Sequence, residues 1–311
     1  MDILKNYSSQ TIKLTPDYEG EVTATLIASK FNIGNRMSIL YLHGYVDYFF
    51  QAHLGEKFTA NNFDFFALDL RKYGRSLLPH QHPNYCRDIR EYFEEITAAI
   101  RLIHNSGNGD ILLMGHSTGG LIASNYMNYG QERGFIKALI LNSPFLDFNQ
   151  TNFQKTIVYL VSKLISGIFP YSKVNGALSP AYAQSLHKDF YGEWDFNLDW
   201  KPIKGFPTYF IWLLAIRAAQ KKLESSNINV PVLVVHSSGS LKISTFSEEA
   251  MSNDIVLDIH DIKRVGAKLG KQITLLEIKN AQHDIFLSPK IVREKAFDQM
   301  FSWLNSMNFE K

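Results

Sequence analysis

Gly115-His116-Ser117-Thr118-Gly119-Gly120 is the stretch of this 311-residue chain whose residue types and spacing could carry covalent chemistry. It follows an apolar run, residues 111–114, that reads as a short buried strand, and precedes residues 121–127, which read as a helix. A serine at so sharp a strand-to-helix turn is held in a strained backbone conformation. Its neighbours two residues away must be small so that strand and helix can approach. Gly115 and Gly119 occupy those places, and Gly120 adds room. The turn also sets Ser117 at a helix N-terminus, where free N–H groups stabilise developing negative charge. The pattern predicts a nucleophilic serine. The plainer alternative is a Gly-rich turn whose serine only caps the helix.

Such a nucleophile needs a base, a group that orients the base, and donors for an oxyanion. His283, after the last predicted strand and before the final helix, stands where the base belongs in the order Ser, acid, His. The acid would most simply follow the strand that ends near His236, but Ser240 stands where an aspartate is expected, and a hydroxyl cannot stabilise an imidazolium. Asp254, opening Asp254-Ile255-Val256-Leu257, is the favoured acid, which makes residues 241–253 an insertion. Asp258 is the second candidate, although it could equally cap the following helix. Asp284 is too near His283 in sequence and reads as a residue that fixes the loop. The oxyanion donors are expected to be the N–H of Thr118 and that of Tyr45, in the loop His43-Gly44-Tyr45-Val46-Asp47. His43, His116 and His236 read as buried structural histidines. His80-Gln81-His82 has no evident third ligand, so no metal site is expected. The elbow lacks the lysine of a phosphate loop, so no nucleotide site is expected either.

Positioning these groups falls to alternating strand-like and helix-like segments. Residues 21–27, 38–42, 63–68, 111–114, 138–141, 231–235 and 272–278 read as extended. Ile89, Phe93, Ile96 and Ile100 recur at helical spacing and predict a helix over 85–104; residues 259–269 and 292–304 also read as helical. The alternation predicts an α/β fold with a mostly parallel central sheet, helices on both faces, and functional groups at the carboxyl ends of the strands. Between Pro144 and Val230 the alternation breaks into an aromatic-rich stretch with four prolines, Pro170, Pro180, Pro202 and Pro207. This predicts a core domain of residues 1–144 and 230–311 and an inserted, mainly helical cap of residues 145–229. Trp194, Trp200 and Trp212 are the cap's candidate substrate-binding residues.

Hydrophobic residues make up 45% of the chain and charged residues 20%, a globular balance, and the net charge of +2 points to no nucleic-acid partner. The lone cysteine, Cys86, can form no intramolecular disulfide and fits a cytoplasmic setting. The first seven residues lack a basic segment followed by an apolar core, so no signal peptide is expected. Residues 157–169 are apolar but short for a membrane span of about 20 residues. They are expected to pack on the sheet domain, with transient contact to a membrane surface as the alternative. Oligomeric state is not legible.

With His43-Gly44-Tyr45, the run Asp69-Leu70-Arg71-Lys72-Tyr73-Gly74-Arg75-Ser76, the elbow and His283, the chain from about residue 21 to 304 resembles the α/β-hydrolase superfamily. The second run is similar to D-x-R-G-x-G-x-S, with Lys72 in place of the first glycine. Within the superfamily the combination is most similar to the monoacylglycerol lipase and lysophospholipase-like, serine aminopeptidase-like branch. That resemblance implies a Ser-Asp-His triad, acyl-enzyme chemistry on a small or lipid-like ester, no cofactor and a helical cap. Two other readings compete. One is a peptidase, which would need a carboxylate such as Glu193, Asp195 or Asp199 to hold a substrate amine. The other is an inactive hydrolase fold serving as a binding module.

Overall fold

A computed structural model describes residues 4–34, 36–148, 152–174 and 178–307. Residues 1–3, at the head of the N-terminal stretch considered above, lie outside that set. The strands are β1 (Tyr7–Lys13), β2 (Thr23–Ser29), β3 (Ser38–Leu42), β4 (Asp64–Asp69), β5 (Ile111–His116), β6 (Ile136–Asn142), β7 (Lys173–Val174), β8 (Thr208–Tyr209), β9 (Val232–Ser237) and β10 (Ile273–Ile278). Eight form one sheet in the order β1-β2-β4-β3-β5-β6-β9-β10, and β7 pairs with β8 apart from it. β2 runs antiparallel to both its neighbours, and every other pairing in the large sheet is parallel. The expected α/β-hydrolase architecture is thus present.

Adjacent side chains of the central strands divide between two cores, because a strand alternates its faces. Leu40 and Leu42 of β3 join one cluster, and Ile39 and Tyr41 the other. Leu113 is likewise separated from Leu112 and Met114 in β5, and Val232 and Val234 from Leu233 and Val235 in β9. Strands apolar at every position therefore report a sheet covered on both sides. The α-helices are α1 (Ala52–Ala60), α2 (Phe93–Asn105), α3 (Thr118–Tyr129), α4 (Asn152–Ile168), α5 (Pro180–Leu186), α6 (Phe210–Lys222), α7 (Ile259–Gly266) and α8 (Lys290–Ser306). Ile96 and Ile100 of α2, Leu121 and Tyr126 of α3, and Trp212 and Ile216 of α6 fill the first core. Phe58 of α1 with Phe297 and Phe301 of α8 fill the second.

Several boundaries differ from expectation. The helix anticipated over 85–104 begins as an α-helix only at Phe93. Ahead of it, Asp88 caps a 3₁₀ turn, Ile89–Tyr92: its carboxylate accepts the Arg90 N–H at 2.9 Å, and its own N–H donates to Glu91 at 3.1 Å. That reciprocal box ends the preceding loop later than the apolar spacing implied. β1 and α1 were not anticipated. In β1 only Tyr7 and Ile12 are buried, so the strand shows almost no alternation to read.

The segment between β6 and β9 carries α4, α5 and α6. It joins the rest of the chain through α6, in the first core, and through a small third cluster in which Tyr48 and Phe50 meet Tyr182, Leu186 and Phe196. α4 packs against α6. Leu160, Leu164 and Ile168 on α4 are 58%, 70% and 66% exposed, so this apolar helix turns one face outward instead of burying it on the sheet domain. Among the described residues no helix is long and apolar enough to cross a membrane.

Candidate active site

β5 runs into α3 through a single residue, Ser117, whose φ is +52°. A non-glycine residue in that region is uncommon and strained. The surrounding glycines explain how it is held. A Cβ on Gly115 would lie 2.5 Å from the Gly119 carbonyl oxygen, and one on Gly119 would lie 2.4 Å from that of His43. No side chain fits at either place, and the helix start is pressed against both β5 and the end of β3. Ser117 is 8% exposed.

Ser117 Oγ lies 3.0 Å from His283 Nε2, and His283 Nδ1 lies 2.8 Å from Asp254 Oδ2. A carboxylate only accepts, so Nδ1 carries the proton and Nε2 is left to accept from the serine hydroxyl. The other oxygen of Asp254 accepts the N–H groups of Val256 at 2.9 Å and Leu257 at 2.8 Å, which fixes the carboxylate plane. Asp258 sits elsewhere: it caps α7, accepting the His260 N–H at 2.9 Å. Asp284 caps the short turn after His283 and accepts from Phe286 N at 3.1 Å and Asn142 Nδ2 at 2.8 Å. The Asn142 carbonyl oxygen of the side chain also takes the Ile285 N–H at 3.2 Å. Asn142, at the end of β6, therefore clamps the His283 loop from two sides. Sequence reasoning passed over it, and its position at a strand's carboxyl end was the available signal.

The loop after β3 packs directly on the serine, since a Cβ on Gly44 would stand 3.2 Å from Ser117 Cβ. Thr118 opens α3, so its N–H has no intrahelical acceptor. Tyr45, Ser117 and Thr118 all line one cavity of about 730 Å³. Val46 has φ +50°, a costly conformation for a β-branched side chain. Next to it, Asp47 Oδ1 is 2.7 Å from Lys201 Nζ, and both side chains are almost wholly buried. Burial, the largest single influence, would raise the Asp47 carboxyl, but the charge and hydrogen bond of Lys201 together with the charges of His116 and His43 outweigh it and leave the carboxyl below its ordinary value. His43 accepts the Leu70 N–H on Nε2 at 3.0 Å, and burial lowers its pKa. Burial does the same for His116.

Of the three candidate tryptophans, Trp212 lines the cavity, its ring 4.1 Å from that of Tyr45. Trp194 and Trp200 are not among its lining residues. Trp194 is stacked on His53 at 4.3 Å and donates its Nε1–H to the Leu287 carbonyl at 2.7 Å. Trp200 packs edge-on to Tyr48 at 5.1 Å, with the Arg75 guanidinium 5.3 Å from its ring. Both fasten the segment between β6 and β9 to the rest of the chain. The carboxylates considered for an amine-binding role also lie off the cavity: Glu193 is paired with Arg293, and Asp195 with Lys188 at 2.6 Å. Among the described residues lining the cavity there is no Asp or Glu. Nor do the described residues contain a group of three or more His, Cys, Asp or Glu able to hold a metal ion.

Comparison with known proteins agrees with this architecture. The sequence model of a hydrolase family described as serine aminopeptidase, S33, matches residues 34–290. No curated protein sequence matches the chain. Among solved structures, a soluble variant of monoglyceride lipase from Saccharomyces cerevisiae, in complex with a substrate analogue, superposes with a TM-score of 0.69 at 18% identity, over 97% of this chain and 98% of that one. A monoacylglycerol lipase from Paleococcus ferrophilus gives 0.64 at 17% identity, over 96% and 99%. A thermophilic esterase from Thermogutta terrifontis gives 0.59 at 15% identity, over 96% and 100%. At these identities the likeness is one of fold.

Proposed function

The chain belongs to the serine aminopeptidase S33 family of hydrolases, and from that premise we propose that it is a serine carboxylic-ester hydrolase acting on a small or lipid-like ester. The observation that carries the reading is the unbroken hydrogen-bonded chain Ser117–His283–Asp254, set against a largely apolar cavity.

In this reading His283 Nε2 takes the hydroxyl proton as Ser117 Oγ bonds to the ester carbonyl carbon. Asp254 holds the imidazole in the required tautomer and stabilises the imidazolium. The N–H groups of Tyr45 and Thr118 receive the oxyanion. Collapse of the tetrahedral intermediate breaks the carbon–oxygen bond to the alcohol, which leaves with the proton from His283. Water then repeats the sequence: His283 removes its proton, the acyl–Oγ bond breaks, and Ser117 recovers its proton as the carboxylic acid departs. The steps close on these residues and water, with no cofactor. Trp212 forms part of the acyl wall, and residues 145–229 act as a cap over a core of residues 1–144 and 230–311.

Two observations favour an apolar ester over an N-terminal amine. The described lining holds no carboxylate to receive an ammonium group, and Ile157 and Val161 both line the cavity and stand 44% and 42% exposed on α4. An opening rimmed by the outward apolar face of α4 suits substrate arriving from a lipid surface, by transient contact of that helix. The test is turnover of p-nitrophenyl esters of increasing chain length, beside aminoacyl p-nitroanilides, by the wild type and by Ser117→Ala. Ester turnover that falls by at least about 10⁴-fold in the variant is expected. Ester turnover indifferent to Ser117→Ala, or a preference for the anilides, overturns the reading.

A further inference from the structure

His283 must keep its place through two half-reactions, and its hydrogen bonds hold it fully in only one of them. At rest the imidazole is held at both nitrogens, by Asp254 Oδ2 at 2.8 Å and by Ser117 Oγ at 3.0 Å. In an acyl-enzyme Ser117 Oγ is an ester oxygen with no proton to donate, so the bond at Nε2 is lost. The imidazole then hangs on Asp254 alone, with two side-chain torsions able to carry it to another rotamer. Packing has to keep Nε2 aimed at the acyl carbon, ready for water.

Two rings supply that packing. His116, the last residue of β5, has its ring 4.9 Å from the imidazole at 55°, and Tyr182, on α5, has its ring 5.3 Å away and nearly perpendicular, at 76°. His116 is fixed by the strand that leads into Ser117. Tyr182 comes from the segment between β6 and β9, and its support is separate. Ser179 caps α5, accepting the Ala181 N–H at 3.2 Å, and Pro180 opens the helix. Ala181 and Leu186 are buried with Tyr48, Phe50 and Phe196. The same segment grips the loop on either side of His283: the Ser185 carbonyl accepts from Gln282 Nε2 at 3.4 Å, and Trp194 Nε1 donates to the Leu287 carbonyl at 2.7 Å. Tyr182 is 7% exposed, and its hydroxyl makes no hydrogen bond to another side chain. Burial, and after it the Asp284 and Asp47 carboxylates, push the phenol well above its ordinary value, so the side chain is neutral and acts through its ring.

We propose that Tyr182 is a positioning residue: its ring stops the His283 imidazole from swinging away once Ser117 is acylated, and so sets the rate at which water releases the acid. This rests on the reading of Ser117 and His283 as nucleophile and base of an ester hydrolase. In the step concerned His283 Nε2 takes a proton from water as the water oxygen bonds to the acyl carbon, then returns it to Ser117 Oγ as the acyl–oxygen bond breaks. Attack on the ester, with the serine hydrogen bond in place, depends less on the ring.

Stopped-flow turnover of p-nitrophenyl butyrate by the wild type, Tyr182→Leu and Tyr182→Phe tests it, with urea midpoints to report folding. Slowed deacylation lowers kcat and KM together and leaves kcat/KM, which reports acylation, near wild type. Tyr182→Leu is expected to lower kcat at least about tenfold, with kcat/KM within about threefold and a p-nitrophenol burst of about one per chain. Tyr182→Phe, which keeps the ring, should bring kcat back to within about threefold of wild type. A kcat that Tyr182→Leu does not lower overturns the proposal, as does a fall in kcat/KM as large as that in kcat, the mark of a site merely loosened. So does a loss in Tyr182→Phe equal to that in Tyr182→Leu. If Tyr182→Leu does not fold, Tyr182→Met, a longer and more adaptable side chain, replaces it under the same criteria. Turnover indifferent to Ser117→Ala or His283→Ala would defeat the underlying reading, whereas turnover that needs both and ignores Tyr182→Leu would defeat this proposal alone.

Discussion

Ser240 and Asp254 are backbone partners. They form a parallel bridge, with the Asp254 N–H donating to the Gly239 carbonyl and the Leu241 N–H to the Asp254 carbonyl, each at 2.9 Å. The intervening residues leave the end of β9 and return to it, so Asp254 delivers its carboxylate beside the place where Ser240 stands. In the proposed reading, the acid is displaced along the sequence and keeps its place in space.

Substitution should therefore separate the two candidate acids. Asp254→Asn is expected to lower kcat for ester hydrolysis by roughly 10⁴-fold, because the imidazole loses its required tautomer. Asp258→Asn should leave kcat near wild type, and Asp258→Ala should cost about 1 kcal/mol of stability as α7 loses its cap. Steady-state kinetics and urea denaturation read these out. A larger kinetic loss at Asp258 than at Asp254 would reverse the assignment.

Much of the candidate site's geometry was legible because its constraints are local. The elbow is a contiguous run whose glycines are dictated by contacts of 2.4 and 2.5 Å, and such constraints are written in residue type. His283 was legible from chain order. Asp254 was readable only as one of several aspartates, because nothing in a sequence shows that a loop closes on itself. The surroundings of the tryptophans were not legible, for a different reason. Trp194 and Trp200 are large and apolar enough for a pocket, but the segment between β6 and β9 must also be fastened to the rest of the chain, and their partners His53 and Tyr48 lie more than a hundred residues away in sequence. β1 escaped notice because an edge strand that buries two side chains has no pattern to show.

The Asp47–Lys201 pair should matter to both stability and rate. Lys201→Met leaves a buried carboxylate without its partner and is expected to destabilise the protein by about 3–5 kcal/mol. Adding Asp47→Asn to Lys201→Met should recover much of that loss, since removing both charges relieves the unpaired one. Because Asp47 lies two residues from Tyr45, Lys201→Arg should restore kcat that Lys201→Met lowers, with KM changed less. Denaturant midpoints and kinetics of the three variants test this. A Lys201→Met protein of wild-type stability and kcat would show that the pair restrains nothing.

Acid should weaken the fold through its buried histidines. Burial lowers the pKa of His43 and His116, and lowers that of His53 to about 4. The unfolded chain binds these protons near pH 6.5 while the folded chain refuses them. Their contribution is thus complete above about pH 6.5 and is lost as pH falls, for His53 down to about 4. His53 alone should account for on the order of 2 kcal/mol between pH 7.5 and pH 5. His53→Phe keeps a ring against Trp194 and removes the titrating group, so its urea midpoint should fall less over that range. An identical pH slope in the variant would contradict the assignment.

The central claim is that Ser117 is a nucleophile activated by His283. Its most direct test is reaction with a fluorophosphonate, followed by intact mass and peptide mapping, on the wild type, Ser117→Ala and His283→Ala. The account predicts one adduct per wild-type chain on the peptide containing Ser117, none on Ser117→Ala, and labelling slowed by orders of magnitude on His283→Ala. An unlabelled wild type, or an adduct that persists when Ser117 is removed, would contradict it.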